Sequence, residues 1–129
     1  MSDLKFEHLA LNVPDSRAMS LWYVEHFAMR VVRSLEEPPY IRFLADATGR
    51  LIFEIYSNPD APIPDYMAAH PLTLHLAFVA EDARAKQRLL QGGGAMLLNE
   101  NIMPGGDVMV MMRDPWGIPL QLWQRTEAL

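Results

Sequence analysis

The apolar and polar positions of this chain run through one pattern and then repeat it. Residues 4–13 (LKFEHLALNV) are mostly apolar with a β-branched end and predict a strand. Pro14, Asp15 and Ser16 then read as a helix start, a short polar cap beside a proline. The segment SRAMSLWYVEHF places Met19, Trp22, Tyr23 and Phe27 on one helical stripe. Three strand-like stretches follow, MRVVRSL, YIRFLAD and RLIFEIYS, separated by turn signals at Pro38–Pro39 and Thr48–Gly49. The order is β-α-β-β-β. Residues 58–71 (NPDAPIPDYMAAHP) hold four prolines without periodicity and predict a semi-rigid, partly polyproline-like connector. The pattern then restarts. LTLHLAFV is a strand, and EDARAKQRLL is a helix closed by Gly92–Gly93–Gly94. AMLLNE, DVMVMMR and IPLQLWQ are strands, with DPWG at 114–117 as the last hairpin turn.

The repetition extends to residue identity. HLALNVPDSRA begins at His8, and HLAFVAEDARA begins 67 positions later at His75. The two strings agree without gaps at His, Leu, Ala, Asp, Arg and Ala. A period this long exceeds a solenoid unit. Two copies of a half-domain are the better description. The prediction is one α+β domain, 1–129, built of two βαβββ modules at about 4–57 and 72–125 and joined by the connector 58–71. Each module is a sheet with one helix on one face, and packing the sheets side by side would enclose a cleft.

Composition narrows the function classes. Half of the 129 residues are hydrophobic and 21% are charged, the balance of a globular protein. A net charge of −5, with eleven Lys and Arg spread along the chain, argues against a nucleic-acid surface. The absence of cysteine excludes disulfides, thiolate metal sites and a cysteine nucleophile. No apolar run reaches the ~20 residues of a membrane span, and the N-terminal stretch has no apolar leader core. A cytoplasmic protein is expected.

Candidate chemistry comes from the 67-residue offset. Glu54, inside LIFEIYS, maps onto Gln121, inside IPLQLWQ. Each half therefore supplies one His on its first strand and one Glu or Gln on its last. A carboxylate embedded in an apolar wall is costly unless it is paired or bound to a metal. Two imidazoles, a carboxylate and an amide oxygen suit a divalent first-row metal. The other reading is a hydrogen-bonded polar cluster that the duplication preserved without a metal. Strand alternation puts Phe6, Ala10 and Asn12 with His8, Thr73, Ala77 and Val79 with His75, Tyr56 beside Glu54, and Trp123 beside Gln121. Asn12, Tyr56 and Trp123 are thus candidate substrate contacts. Arg33 and Arg42 lie in predicted strands near the first cleft wall, and Arg33 is the candidate for an anionic substrate end. His26 and His70 read as surface residues. The methionine-rich run at 109–112 reads as strand core or as the lining of a plastic pocket.

HLALNVPD, FEIY, LHLAFVAED and RDPWGIPLQL together resemble the vicinal oxygen chelate superfamily. That group includes glyoxalase I, methylmalonyl-CoA epimerase, extradiol dioxygenases, and fosfomycin- and bleomycin-resistance proteins. The resemblance implies glyoxalase-like paired modules forming a curved, partly closed mixed sheet around a metal cleft. It places the metal ligands at His8, Glu54, His75 and Gln121, with Ni, Co, Zn, Mn or Fe as the ion and a homodimer as the assembly. The implied activity is that of a lyase or isomerase of the glyoxalase I-like type. Such an enzyme chelates a small oxygenated substrate and stabilises an enolate or oxyanion. Gln121 cannot act as a base, so Glu54 is expected to serve as both ligand and base. Two alternatives are an Fe(II)-dependent ring-cleaving dioxygenase and a metal-free small-molecule-binding resistance protein.

Overall fold

The structure, a computed structural model, describes residues 3–129. The chain divides into two compact units, one through Pro64 and the other from Asp65 through Leu129. The first contains β1 (Leu9–Asn12), α1 (Ser16–Phe27), β2 (Arg30–Ser34), β3 (Arg42–Ala45) and β4 (Leu51–Tyr56). The second contains a short 3-10 turn (Tyr66–Ala68), then β5 (Leu76–Val79), α2 (Ala83–Gly92), β6 (Met96–Ile102), β7 (Val108–Arg113) and β8 (Pro119–Gln124). Each unit forms its own open, mixed four-stranded sheet, in the orders β1-β4-β3-β2 and β5-β8-β7-β6. In each, the first strand runs parallel to the last and the other pairs are antiparallel. This is the α+β, paired βαβββ architecture that the pattern predicts.

The duplication is reproduced at the level of single hydrogen bonds. Asp15 caps α1 by accepting from the Ala18 N–H at 3.1 Å, and Asp82 caps α2 by accepting from Ala85 at 3.0 Å. The next orphan donor is met the same way in both units: Ser16 N–H donates to Ser57 Oγ, and Ala83 N–H to Gln124 Oε1. Val13 N–H donates to Tyr56 O and Ala80 N–H to Trp123 O, each at 2.9 Å. Both edge hairpins carry an irregularity at the same place, between Val31 and Arg33 and between Leu97 and Asn99.

Each helix covers one sheet face. Met19, Trp22 and Tyr23 of α1 are buried, as are Leu44, Phe53 and Ile55 of the first sheet. Leu90 of α2 is buried, as are Val110, Met112, Leu120 and Leu122 of the second. Phe27, the fourth residue of the predicted stripe, is half-buried with its ring 4.9 Å from that of Tyr23. The methionine-rich run lies in the interior strand β7, with Met111 and Met112 both buried.

Two elements differ from their sequence expectation. The first strand of each module is shorter than the apolar run that announced it. β1 begins at Leu9 and β5 at Leu76, paired with Phe53 and Leu120 of strands that start at Leu51 and Pro119 directly after tight turns. Residues 4–7 lie outside β1 and are exposed. The proline-rich connector is anchored within each unit. The Asn12 amide donates to the carbonyls of Asn58, Ala61 and Pro62, and Asn12 Oδ1 accepts from Asn58 N–H. In the second unit the buried Arg113 donates to Tyr66 O, Ala69 O and Gly117 O at 2.9–3.0 Å. No helix among the described residues is long and apolar enough to cross a membrane.

Candidate functional site

Strand register decides which side chains share a face. In the first sheet Arg33 pairs with Phe43, Phe43 with Glu54, and Glu54 with Ala10. These four stand in one row across the sheet, on the face opposite Phe53 and Ile55, which are buried. His8 lies two residues before Ala10 and just outside β1. It joins this row by setting its ring edge-on to Phe43, with centroids 5.5 Å apart. In the second sheet the matching row is Asn99, Met111, Gln121 and Ala77, with His75 two residues before Ala77. The shared bulge on β2 and β6 turns Arg33 and Asn99 onto this face.

Each row holds one nitrogen and one oxygen donor. His8 Nε2 lies 3.4 Å from Glu54 Oε1. Both side chains are largely shielded, at 26% and 19% exposure, which limits what water alone can do for the carboxylate. His8 Nδ1 lies 2.9 Å from Glu7 Oε1, and an ionised carboxylate only accepts, so Nδ1 carries the proton. Nε2 then turns a lone pair toward a second carboxylate, an arrangement that needs a proton or a cation between the two. Donors about 2.1 Å from a shared tetrahedral cation stand about 3.4 Å apart, so the observed spacing fits a metal.

The second pair is prepared in the same sense. His75 Nδ1 lies 2.8 Å from Pro71 O, a pure acceptor, which fixes the tautomer with Nε2 as the unprotonated nitrogen. Gln121 is buried, and its Oε1 accepts the Trp123 indole N–H at 2.8 Å. An indole can only donate, so the amide oxygen is identified without ambiguity. Within each unit, the histidine and the oxygen-bearing residue, with their outer hydrogen bonds, have the donor chemistry of divalent-metal ligands, although among the described residues no group of three or more His, Asp or Glu that could hold a metal ion is found.

The remaining predicted residues fall into different settings. Tyr56 and Trp123 are half-buried at equivalent strand ends. Arg33 is exposed on the edge strand β2, in line with Glu54. Asn12 holds the 58–62 segment. Arg42 is buried and donates to Leu35 O, Ile41 O and the Glu36 carboxylate, so it is a structural arginine. His26 packs its half-buried ring against Trp22, and exposed His70 accepts from Leu72 N–H. Sequence reasoning missed Glu7, which orients His8, and Arg125, whose guanidinium lies 3.9 Å over the Trp123 ring. The strand period would have placed Arg125 on the Gln121 face, but the stacking depends on χ angles that no pattern encodes.

Comparison with known proteins agrees with this fold. The profile of the Glyoxalase/Bleomycin resistance protein/Dioxygenase superfamily matches residues 5–122. The chain belongs to this superfamily. A glyoxalase family protein from Enterococcus faecalis is 27% identical, with a TM-score of 0.69 over 95% of this chain and 99% of that one. Glyoxalase I from Zea mays is 22% identical with a TM-score of 0.71, matching 94% of this chain and 44% of its own. The chain thus spans less than half of the maize enzyme. A glyoxylase/bleomycin resistance protein/dioxygenase domain from Frankia sp. EAN1pec is 19% identical with a TM-score of 0.69, over 95% and 98% of the two chains. The maize and Frankia likenesses establish the fold. No curated protein matches the chain.

Proposed function

We propose that the protein is a metal-dependent lyase or isomerase of the glyoxalase I-like type, with His8, Glu54, His75 and Gln121 holding one divalent cation. The observation that carries this reading is the 3.4 Å approach of His8 Nε2 to Glu54 Oε1, with the other ring nitrogen already occupied by Glu7. The second unit's equally prepared His75 and Gln121 support it. When bound, the ion supplies positive charge to two neighbouring substrate oxygens and so favours an enolate or oxyanion.

The chain's own groups divide the remaining work. His8 and His75 present Nε2 while keeping Nδ1–H turned away. Glu54 takes and returns the proton on the carbon next to the chelating carbonyl, since it is the one Brønsted base among the four donors once both imidazoles ligate. Gln121 holds position without titrating. Tyr56 and Trp123 supply apolar walls that exclude water, and Arg33 meets an anionic substrate end from the rim. Asn12 fixes the segment that follows Tyr56. The family resemblance extends the proposal to a homodimer, which sedimentation with and without metal tests.

The test starts from protein stripped with a chelator and titrated calorimetrically with Ni²⁺, Co²⁺, Zn²⁺, Mn²⁺ and Fe²⁺. The loaded protein is then given a panel of hemithioacetals and acyl thioesters in deuterated water, with NMR following exchange next to the carbonyl. Glu54→Gln keeps an oxygen donor but removes the base, and exchange falls about 10²–10⁴-fold. A wild type that binds none of these ions overturns the reading. Oxygen uptake with catechols by the Fe²⁺ form, without isomerase activity, replaces it with a ring-cleaving dioxygenase. Ligand binding by metal-free protein alone replaces it with a binding protein.

A further inference from the structure

The two oxygen donors are not chemically equivalent. A carboxylate presents an oxygen whichever way it turns. A carboxamide rotated by half a turn presents an NH₂ group, which cannot ligate a cation. Gln121 therefore needs something that Glu54 does not: a group that reads oxygen from nitrogen. The structure supplies one. Trp123, two residues on and on the same face, donates its indole N–H to Gln121 Oε1 at 2.8 Å. The residue at the equivalent place beside Glu54 is Tyr56, which carries no N–H on its ring.

Trp123 is itself held. The Arg125 guanidinium stacks 3.9 Å from the centre of its ring. Arg125 Nη1 is bound to Asp107 Oδ2 at 3.2 Å, and the two side chains are only 20% and 21% exposed. Asp107 is fixed in turn, because its Oδ1 accepts from Thr126 N–H at 2.7 Å and from Thr126 Oγ1 at 3.0 Å. Arg125 Nε is buried with no hydrogen-bond partner, so part of this cation is desolvated and compensated through the indole face and Asp107. A cation over the ring also draws electron density from it and strengthens the N–H as a donor. The place matching Arg125 in the first unit is Asn58, which carries no charge.

We infer that Trp123 sets the sense of the Gln121 amide, and that Arg125, anchored by Asp107, is a positioning residue acting through Trp123. The inference rests on the proposed metal-binding role of Gln121 and adds a requirement specific to an amide ligand.

Two measurements test it. In metal-free protein, hydrogen exchange of the Trp123 indole proton is followed by NMR. The wild type protects this proton, and Arg125→Met and Asp107→Asn each speed its exchange severalfold. Unchanged exchange in both variants overturns the chain of contacts. Zn²⁺ and Ni²⁺ affinities are then measured by calorimetry. Trp123→Phe keeps the ring and loses the N–H, and it weakens binding about 10–100-fold, as loss of an outer-shell partner does. In a Gln121→Glu background, where either oxygen serves, the same substitution changes affinity by less than about threefold, so the cycle shows strong coupling. A merely structural Trp123 would weaken both backgrounds alike, and that result overturns the inference. A wild type that binds neither ion removes the proposed function and this inference together. A wild type that binds while Trp123→Phe binds equally well removes this inference alone.

Discussion

Gly117→Ala offers a sharp test of how the second unit is packed. Gly117 closes the Asp114–Gly117 turn at φ +89°, and its N–H donates to Asp114 O at 2.9 Å. A Cβ at this position would stand 2.8 Å from Met67 N and 3.0 Å from Met67 Cα. Both are backbone atoms of the 3-10 turn, and Tyr66 O and Gly117 O are tied to the same Arg113 nitrogen at 3.0 Å. Holding a left-handed backbone costs a residue with a Cβ about 1–2 kcal/mol. Relieving the clash also stretches a hydrogen bond to a charged donor, about 1.5–3 kcal/mol. The expected loss is about 2.5–5 kcal/mol. The first unit carries a built-in control. Gly49 closes the matching turn after Asp46 at φ +88°, with its N–H donating to Asp46 O at 2.9 Å. Nothing lies within 4 Å of a Cβ built there, so Gly49→Ala bears only the backbone cost, about 1–2 kcal/mol. Urea unfolding followed by tryptophan fluorescence separates the two. With a slope of about 2 kcal/mol/M, Gly117→Ala lowers the midpoint by about 1.3–2.5 M and Gly49→Ala by about 0.5–1 M. Equal losses in the two variants would refute the packing account, because the backbone angles match and only the neighbour differs.

Other outcomes follow from the same contacts. Asp15→Ala and Asp82→Ala each remove a helix cap and cost about 1 kcal/mol in urea unfolding, by similar amounts because the caps are geometrically alike. Although burial opposes ionisation of Asp46, the Thr48 hydroxyl and N–H, the Arg50 N–H and the Arg50 charge hold its carboxyl below the ordinary 3.8. A carboxyl lowered on folding contributes its full stabilisation above the unfolded value and loses it as pH falls through the folded one. Asp46→Asn therefore flattens the acid limb of a stability–pH curve below about pH 4, where the wild type falls. The Thr126 backbone N–H, with the Thr126 hydroxyl and Arg125, outweighs desolvation to lower Asp107 as well, so Asp107→Asn acts in the same direction. Under the proposed function, His8→Ala and His75→Ala each abolish tight Zn²⁺ binding in calorimetry, whereas His26→Ala, whose ring packs on Trp22, leaves it intact.

The local grammar of the chain was largely readable. Asp15 announces α1 because a cap is a contact across three residues, and DPWG announces its turn for the same reason, whereas the cap of α2 at Asp82 became evident in the structure. The 67-residue offset carried the fold further, since duplicated segments meet duplicated partners: Val13 with Tyr56, Ala80 with Trp123. Pairing His8 with Glu54 was legible through that offset and strand alternation. The anchoring of the connector was not legible, because its anchors, Asn12 and Arg113, lie 44–50 positions from the carbonyls they bind. Arg42 lay in a predicted strand near the cleft wall, but its burial and its partners, neighbouring carbonyls and Glu36, are tertiary contacts that no pattern shows.

By itself, then, the sequence determined the α+β repeat, its helices, and which residues of each module carry donor atoms, all properties of short-range periodicity and identity. Tertiary structure alone decided that His8 turns Nδ1 to Glu7 and Nε2 to Glu54, that Trp123 grips the amide oxygen of Gln121, and that Arg125 lies over the indole. Those outcomes depend on strand register, bulges and side-chain torsions. Long-range pairing fixes them, and no local pattern records them.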